Sequence, residues 1–317
     1  MRAVRFHGWG QDPVLDEVDE PTRDTGRVLV QVQAAAVAHL DATVASGNFE
    51  LTPELPYIGG VEGSGVVLEC DEGSGLEPGC QVMLRGGGLG LLRGGTWTER
   101  VSVSPKAVTR LDSPLPPEVA ATFFVPATTA FVVLHDVARL DDDEEVVVVG
   151  AAGAVGAMVA QQALLAGAKV TGVVGREDQV ADVPNGVTAL CLDSPEAIDR
   201  LAAERSTSLL VDTLGGEGLA ERGRWVRPGG RVVAIGYVAG TDVRLHLPSW
   251  LLDDVALLPV NMIRRERRAH EVAGELVEQL SAGQLHIETQ RYGLAEAATA
   301  LADLRAGKVR GRAVLVP

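Results

Sequence analysis

Aromatic side chains make up only 4% of this 317-residue chain. Platforms for stacking bases are therefore scarce, and a nucleic-acid ligand is a poor fit. Positive charge is scarce too: 28 Lys and Arg stand against 43 Asp and Glu, a formal net charge of −15. Such a field repels phosphate backbones and anionic membranes, so any anionic ligand has to be held by local groups. The three cysteines, Cys70, Cys80 and Cys191, do not pair evenly and show no CxxC spacing, which leaves a disulfide framework or a structural zinc site without support. Met1 to Gly10 carries Arg2 and Arg5 but no apolar core, so no secretion signal is read there and a soluble, cytoplasmic protein is expected.

What the chain does have is one charge-free stretch, Val146 to Ala168. Its length matches a membrane span, but Gly150, Gly153, Gly156, Gln161 and Gln162 interrupt it. Four consecutive valines, Val146 to Val149, suit a strand buried on both faces. Gly150, Gly153 and Gly156 then turn the backbone into a helix-forming run, Ala157 to Ala166, and Lys169 to Val174 supplies a second strand. The unit is thus strand, turn, helix, strand, about the 30 residues a dinucleotide fingerprint needs. Glycines let a pyrophosphate approach backbone N–H groups at the helix N-terminus, so contacts are expected from Ala152, Gly153, Ala154, Val155 and Gly156. About 20 residues on, where an acid commonly holds the NAD ribose, stand Gly175 and Arg176. A guanidinium pairs well with the 2′-phosphate of NADPH, which is expected over NADH, although Glu177 and Asp178 could instead accept ribose hydroxyls.

Around this unit the texture changes twice. Val28 to Ala35, Gly65 to Glu69, Gln81 to Leu84 and Trp97 to Val103 read as short strands punctuated by Gly and Pro, which suits a small irregular β-barrel. Leu89 to Gly95 reads as a loop, facing either a site or solvent. Helices are expected from Pro117 and, separately, from Pro126 to about Leu140. Strands and helices then alternate to the strand 231–235, as in a doubly wound parallel sheet. Val243 to Leu247 reads as a following strand, Arg264 to Ala282 and Leu294 to Ala306 as amphipathic helices, and Gly311 to Pro317 as a last strand.

In this order the motifs resemble the medium-chain dehydrogenase/reductase superfamily, and within it the zinc-independent quinone oxidoreductase branch. Pro56 to Val67 looks like its Gly-rich segment before a core strand, and Gly94 to Glu99 resembles its "GTYAEY". Thr129-Ala130-Phe131 is similar to its Thr-Ala-Tyr, Gly150 to Gly156 to "GAAGGVG", Asp212 to Gly216 to "DTVGG", and Arg227 to Arg231 to "RPGGR". The resemblance implies an α/β protein in which a doubly wound Rossmann sheet is inserted into a GroES-like irregular β-barrel catalytic domain. The expected spans are 1–117 for the N-terminal part of that domain, 118–257 for the cofactor domain and 258–317 for the part completing the barrel. It also implies cofactor contacts at Thr129, Leu214, Gly236, Tyr237 and Arg312.

Zinc-dependent members of the superfamily carry Cys-His-x-Asp and Gly-His-Glu where this chain reads Ala38-His39-Leu40-Asp41 and Gly60-Val61-Glu62. Alanine and valine cannot coordinate zinc, so no zinc is expected, and Asp41 and Glu62 are assigned to holding the fold. Without a Lewis acid, alcohol dehydrogenation is disfavoured. The expected reaction is hydride transfer to an electron-poor acceptor, a quinone or other α,β-unsaturated carbonyl. Relatives often have Asn at the position of Ala38 and Tyr at that of Phe49, so no proton donor is assigned; Tyr57, Tyr237, His39 and Phe49 are pocket candidates. An enoyl-thioester reductase is the rival enzyme, its relatives having "GGNEG" where Gly59 to Gly63 stand, and a cofactor-binding redox sensor or interaction protein without turnover is a third reading. A homodimer is expected, because an open edge at 231–235 and 243–247, with the apolar 250–252 and 255–260, is costly in water; the same residues could instead cover the chain's own cleft between domains.

Overall fold

Short strands dominate the start of the chain because Gly and Pro break the backbone every few residues. In the computed structural model, which describes residues 1–317, these are β1 (Arg2–Phe6), β2 (Val14–Glu17), β3 (Val28–Val37), β4 (Tyr57–Ile58), β5 (Glu62–Glu69), β6 (Gln81–Arg85), β7 (Arg100–Val103) and β8 (Val108–Arg110), with α1 (His39–Ala45) after β3. β1 pairs with β2 and β4, while β3 pairs with β5 and β7, β5 with β6, and β6 with β8, all antiparallel. Trp97 is the central filler of the core here: it is fully buried, lies against Phe6, and its indole N–H donates to Ala36 O at 2.9 Å.

α2 (Pro117–Phe131) then runs straight through Pro126 and continues as a π-helix, Val132–Ala138. The separate helix expected from Pro126 does not exist. An internal proline costs a helix about 3 kcal/mol. Ala120, Ala121, Phe123, Phe124, Ala127, Ala130 and Val132 to Leu134 are all buried, and side chains of this kind are worth roughly 1.5–3 kcal/mol each for the larger ones, so burial outweighs the proline. The run 117–138 is also the one helix long and apolar enough to cross a membrane, and most of it is buried in protein.

Next come β9 (Glu145–Val149), α3 (Ala154–Leu165), β10 (Lys169–Val174), β11 (Thr188–Cys191), α4 (Pro195–Glu204), β12 (Thr207–Asp212), α5 (Gly218–Gly223), β13 (Val226–Ala234), α6 (Leu247–Asp253), β14 (Ala256–Pro259) and α7 (Glu266–Ser281). The six strands form one parallel sheet in the order β11-β10-β9-β12-β13-β14. β9 lies inside it, which is why its four valines are all buried. The chain returns through β15 (Thr289–Gly293), α8 (Ala297–Arg305) and β16 (Arg312–Val316), and β16 pairs with β3.

The chain thus divides into Met1–Val125 with Ile287–Pro317, and Pro126–His286. The first boundary falls inside α2 and not at 117, since that helix is continuous. The second falls after His286 and not at 257, because α7 packs with the parallel-sheet unit. Residues 241–246 form no strand, and Leu247 opens α6. The edge on that side is instead β14, which pairs in parallel with β13.

Candidate functional site

The strand order changes direction between β9 and β12, and in open α/β sheets ligands bind at the carboxyl ends of the strands at such a switch point. Three loops meet there. After β9, Gly150 adopts φ +80 and Gly153 N–H donates to Gly150 O at 2.9 Å. A Cβ at Gly156 would overlap the Gly150 carbonyl, whereas one at Gly153 would stand 3.2 Å from it. Glycine at 156 is what lets α3 start so close to the strand. The N–H groups of Ala154, Val155 and Gly156 have no acceptor within the helix, which leaves them for an anion.

After β12, the buried Asp212 accepts from Leu214 N–H at 2.9 Å and Gly215 N–H at 2.7 Å, and its second oxygen takes Arg222 Nε–H at 2.6 Å. Arg222 also donates through Nη2 to Gly215 O at 2.7 Å. The Thr213 hydroxyl donates to Val149 O at 2.8 Å, tying this loop to the end of β9. After β13, Gly236 lies so close to Thr213 O that a side chain would overlap it, and Ala239 N–H donates to Leu214 O at 2.9 Å. The loops carrying Ala152 to Gly156, Leu214, and Gly236 with the exposed Tyr237 thereby lie side by side at the carboxyl ends of β9, β12 and β13. Asp212, Thr213 and Arg222 went unassigned from the sequence. The signal for the first was available, an acid directly after the apolar Leu209-Leu210-Val211 and shortly before Gly215-Gly216; Arg222, ten residues further, carries none.

Gly175 and Arg176 stand at the carboxyl end of β10, where Arg176 pairs with Asp178 at 3.1 Å. Thr129 is buried in α2. Arg312, which the resemblance placed among the cofactor contacts, is buried, with Nη2 donating to Glu62 at 2.9 Å. Its position after Gly311 at the start of β16 aims the guanidinium into the interior beside β5.

That interior cluster occupies the place where a metal would be sought. Asp41 is buried and accepts from Ala38 N–H at 2.8 Å and Val61 N–H at 3.0 Å; burial pushes its carboxyl up to about 6 against those two bonds and the nearby Arg85 and Arg312. Glu62 accepts from Val125 N–H at 2.7 Å besides Arg312, and burial raises it despite that guanidinium. Both carboxylates are committed to backbone and arginine, as expected for fold-holding groups. No group of three or more His, Cys, Asp or Glu side chains is placed to hold a metal, and Ala38 and Val61 offer no donor, so the residues present do not fit a zinc ion.

The pocket candidates separate. Tyr57 is a core residue stacked on Phe6 at 5.1 Å between ring centroids; its hydroxyl is buried without a partner, and burial, then Asp41, raises its pKa. It is therefore corrected from pocket to core. Phe49 is half-buried against the same cluster. His39 opens to solvent, yet crowding by the protein and, secondly, Arg312 lower its pKa. In the loop 89–95, Leu89 and Leu91 point into the core and Leu92 outward.

Residues 24–113 match the family model of the alcohol dehydrogenase GroES-like domain, and residues 178–315 that of a zinc-binding dehydrogenase. The chain belongs to the medium-chain dehydrogenase/reductase superfamily, in its quinone oxidoreductase-like branch. It is 28% identical over 271 residues to mitochondrial enoyl-[acyl-carrier-protein] reductase of Rattus norvegicus, covering 81% of this chain and 71% of that protein. With quinone oxidoreductase of Homo sapiens it shares 27% over 245 residues, 74% of this chain and 73% of that one. Quinone oxidoreductase of Escherichia coli, solved in complex with NADPH, superposes with a TM-score of 0.90 over all of both chains at 19% identity, a likeness of fold. The superfamily's two parts are thus a GroES-like unit and a Rossmann-like unit, and the chain is an oxidoreductase by this membership.

Proposed function

We propose that the chain is a zinc-independent, NADPH-dependent oxidoreductase that transfers a hydride to a quinone or another α,β-unsaturated carbonyl. The observation that carries this reading is a glycine turn at the switch point that a Cβ would fill, in a chain whose positions 38 and 61 are apolar. When bound, a nicotinamide supplies the hydride. The chain's own part is to hold the pyrophosphate on the N–H groups of Ala154, Val155 and Gly156, and to shape the crevice through Asp212, Thr213 and Arg222. With no ligand set for a Lewis acid, the acceptor must already be electron-poor, as a conjugated carbonyl is. Arg176 supports the phosphorylated dinucleotide.

A second reading, an enoyl-thioester reductase, is favoured by the likeness to the Rattus norvegicus enzyme. A panel of quinones, enones and enoyl thioesters with NADPH and NADH separates the two. NADPH oxidation fastest with quinones or simple enones is expected; fastest turnover of enoyl thioesters replaces the acceptor, and binding without turnover of any acceptor leaves a cofactor-binding protein. Tighter binding of NADH overturns the NADPH assignment.

The homodimer is retained as a proposal on a different footing. Leu247, Leu251 and Leu252 of α6 are 61%, 69% and 84% exposed, beside the edge strand β14, and such side chains gain from a partner. Light scattering at micromolar concentration is expected to give twice the chain mass; a monomer mass, unchanged by NADPH, refutes the pairing.

A further inference from the structure

Arg176 leaves β10 with its backbone N–H donating to Gln179 Oε1 at 3.2 Å, which turns the chain at once into the 3-10 helix Glu177–Asp182. The tight turn brings Asp178 back against the arginine. Its carboxylate is forked by the guanidinium, Nε to Oδ1 at 3.1 Å and Nη2 to Oδ2 at 3.5 Å. This is the two-point geometry in which a guanidinium also grips a phosphate. A carboxylate and a phosphate cannot both take the same edge. Glu177, the intervening residue, carries a second negative charge in the same turn.

We propose that Asp178 sets the cofactor preference of this chain by competing with a 2′-phosphate for the Arg176 guanidinium. The inference rests on the reading of this unit as a nicotinamide dinucleotide site. A 2′-phosphate has to displace the Asp178 carboxylate and meets its repulsion, while an unphosphorylated ribose displaces nothing and finds in the same carboxylate an acceptor for its hydroxyls. Arg176 therefore acts below its full strength toward NADPH, and Asp178 keeps the discrimination between the two cofactors narrow. The pair is open to solvent, which limits the effect to what exposed ion pairs are worth.

The test is fluorescence titration of NADPH and NADH on the full chain, with the variants Asp178→Asn, Glu177→Gln and Arg176→Met. Asp178→Asn keeps the size of the side chain and removes its charge. It is expected to tighten NADPH by about 3- to 10-fold and to leave NADH unchanged or weaker, as loss of an exposed competing pair predicts. Glu177→Gln removes an equal charge from the same turn without touching the Arg176–Asp178 pair, and its effect on the NADPH/NADH ratio is expected to be under about twofold. In the double variant Arg176→Met with Asp178→Asn, the NADPH gain should vanish. An unmoved ratio in Asp178→Asn, or an equal gain from Glu177→Gln, overturns the competition while leaving the dinucleotide site standing. If the unmodified chain binds neither cofactor, the site reading falls and this inference with it.

Discussion

Replacing Arg222 by methionine is expected to destabilise the parallel-sheet unit by about 3–5 kcal/mol, the usual cost of stripping one partner from a buried ion pair. The methionine fills much of the arginine's volume, so the loss measures charge and hydrogen bonding more than a cavity. Asp212 has no solvent exposure, and its Oδ2 is met by Arg222 Nε at 2.6 Å. Without the guanidinium that oxygen stays desolvated, while Gly215 O loses its donor as well. For a unit of this size the thermal midpoint should fall on the order of 10 °C. Arg222→Lys keeps a positive charge but cannot serve Asp212 and Gly215 O with one planar group, and should fall between the two. Thermal unfolding followed by circular dichroism decides it: a midpoint within a degree or two of the parent for Arg222→Met would show that the pair contributes little.

Gly156→Val should abolish protection by dinucleotide. The added Cβ meets the Gly150 carbonyl, which is backbone inside the turn and cannot rotate aside as a side chain would. Either α3 shifts away from β9 or the turn opens, and both changes displace the N–H groups of Ala154 and Val155. Saturating NADPH at about 100 times its Kd stabilises a binding protein by about 2.7 kcal/mol, and this shift should disappear. Gly153→Ala is the control: its Cβ stands 3.2 Å from the same carbonyl oxygen, close enough for a small adjustment, and most of the protection should survive. Full NADPH protection of Gly156→Val refutes the site.

The strand, glycine turn and helix over 145–165 were legible because their requirements are local. Valines filling a strand, glycines where the backbone crowds itself and a helix beginning at Ala154, soon after the strand ends at Val149, are all conditions that neighbouring residues impose on one another. That Ala38 and Val61 carry no donor atom was legible for a related reason, since side-chain chemistry needs no geometry. The commitment of Asp41 and Glu62 to the fold was anticipated, but their partners were not: Arg312 reaches Glu62 from 250 residues away.

The misreadings share one cause. Tyr57 looked available to a pocket and 243–247 to a strand, because each residue type allowed it. Pairing across the fold overruled both: β4 against β1 stacks Tyr57 on Phe6, and β14 takes the place beside β13. Pro126 was read as a helix start for the same reason, since the burial that outweighs its lost hydrogen bond comes from residues remote in the chain. Backbone sterics and missing donor atoms act within a few residues and are written in their order; which polar group finds which partner depends on contacts made only when distant segments pack, and hydrogen bonding and burial then decide among the roles that each side chain could have played.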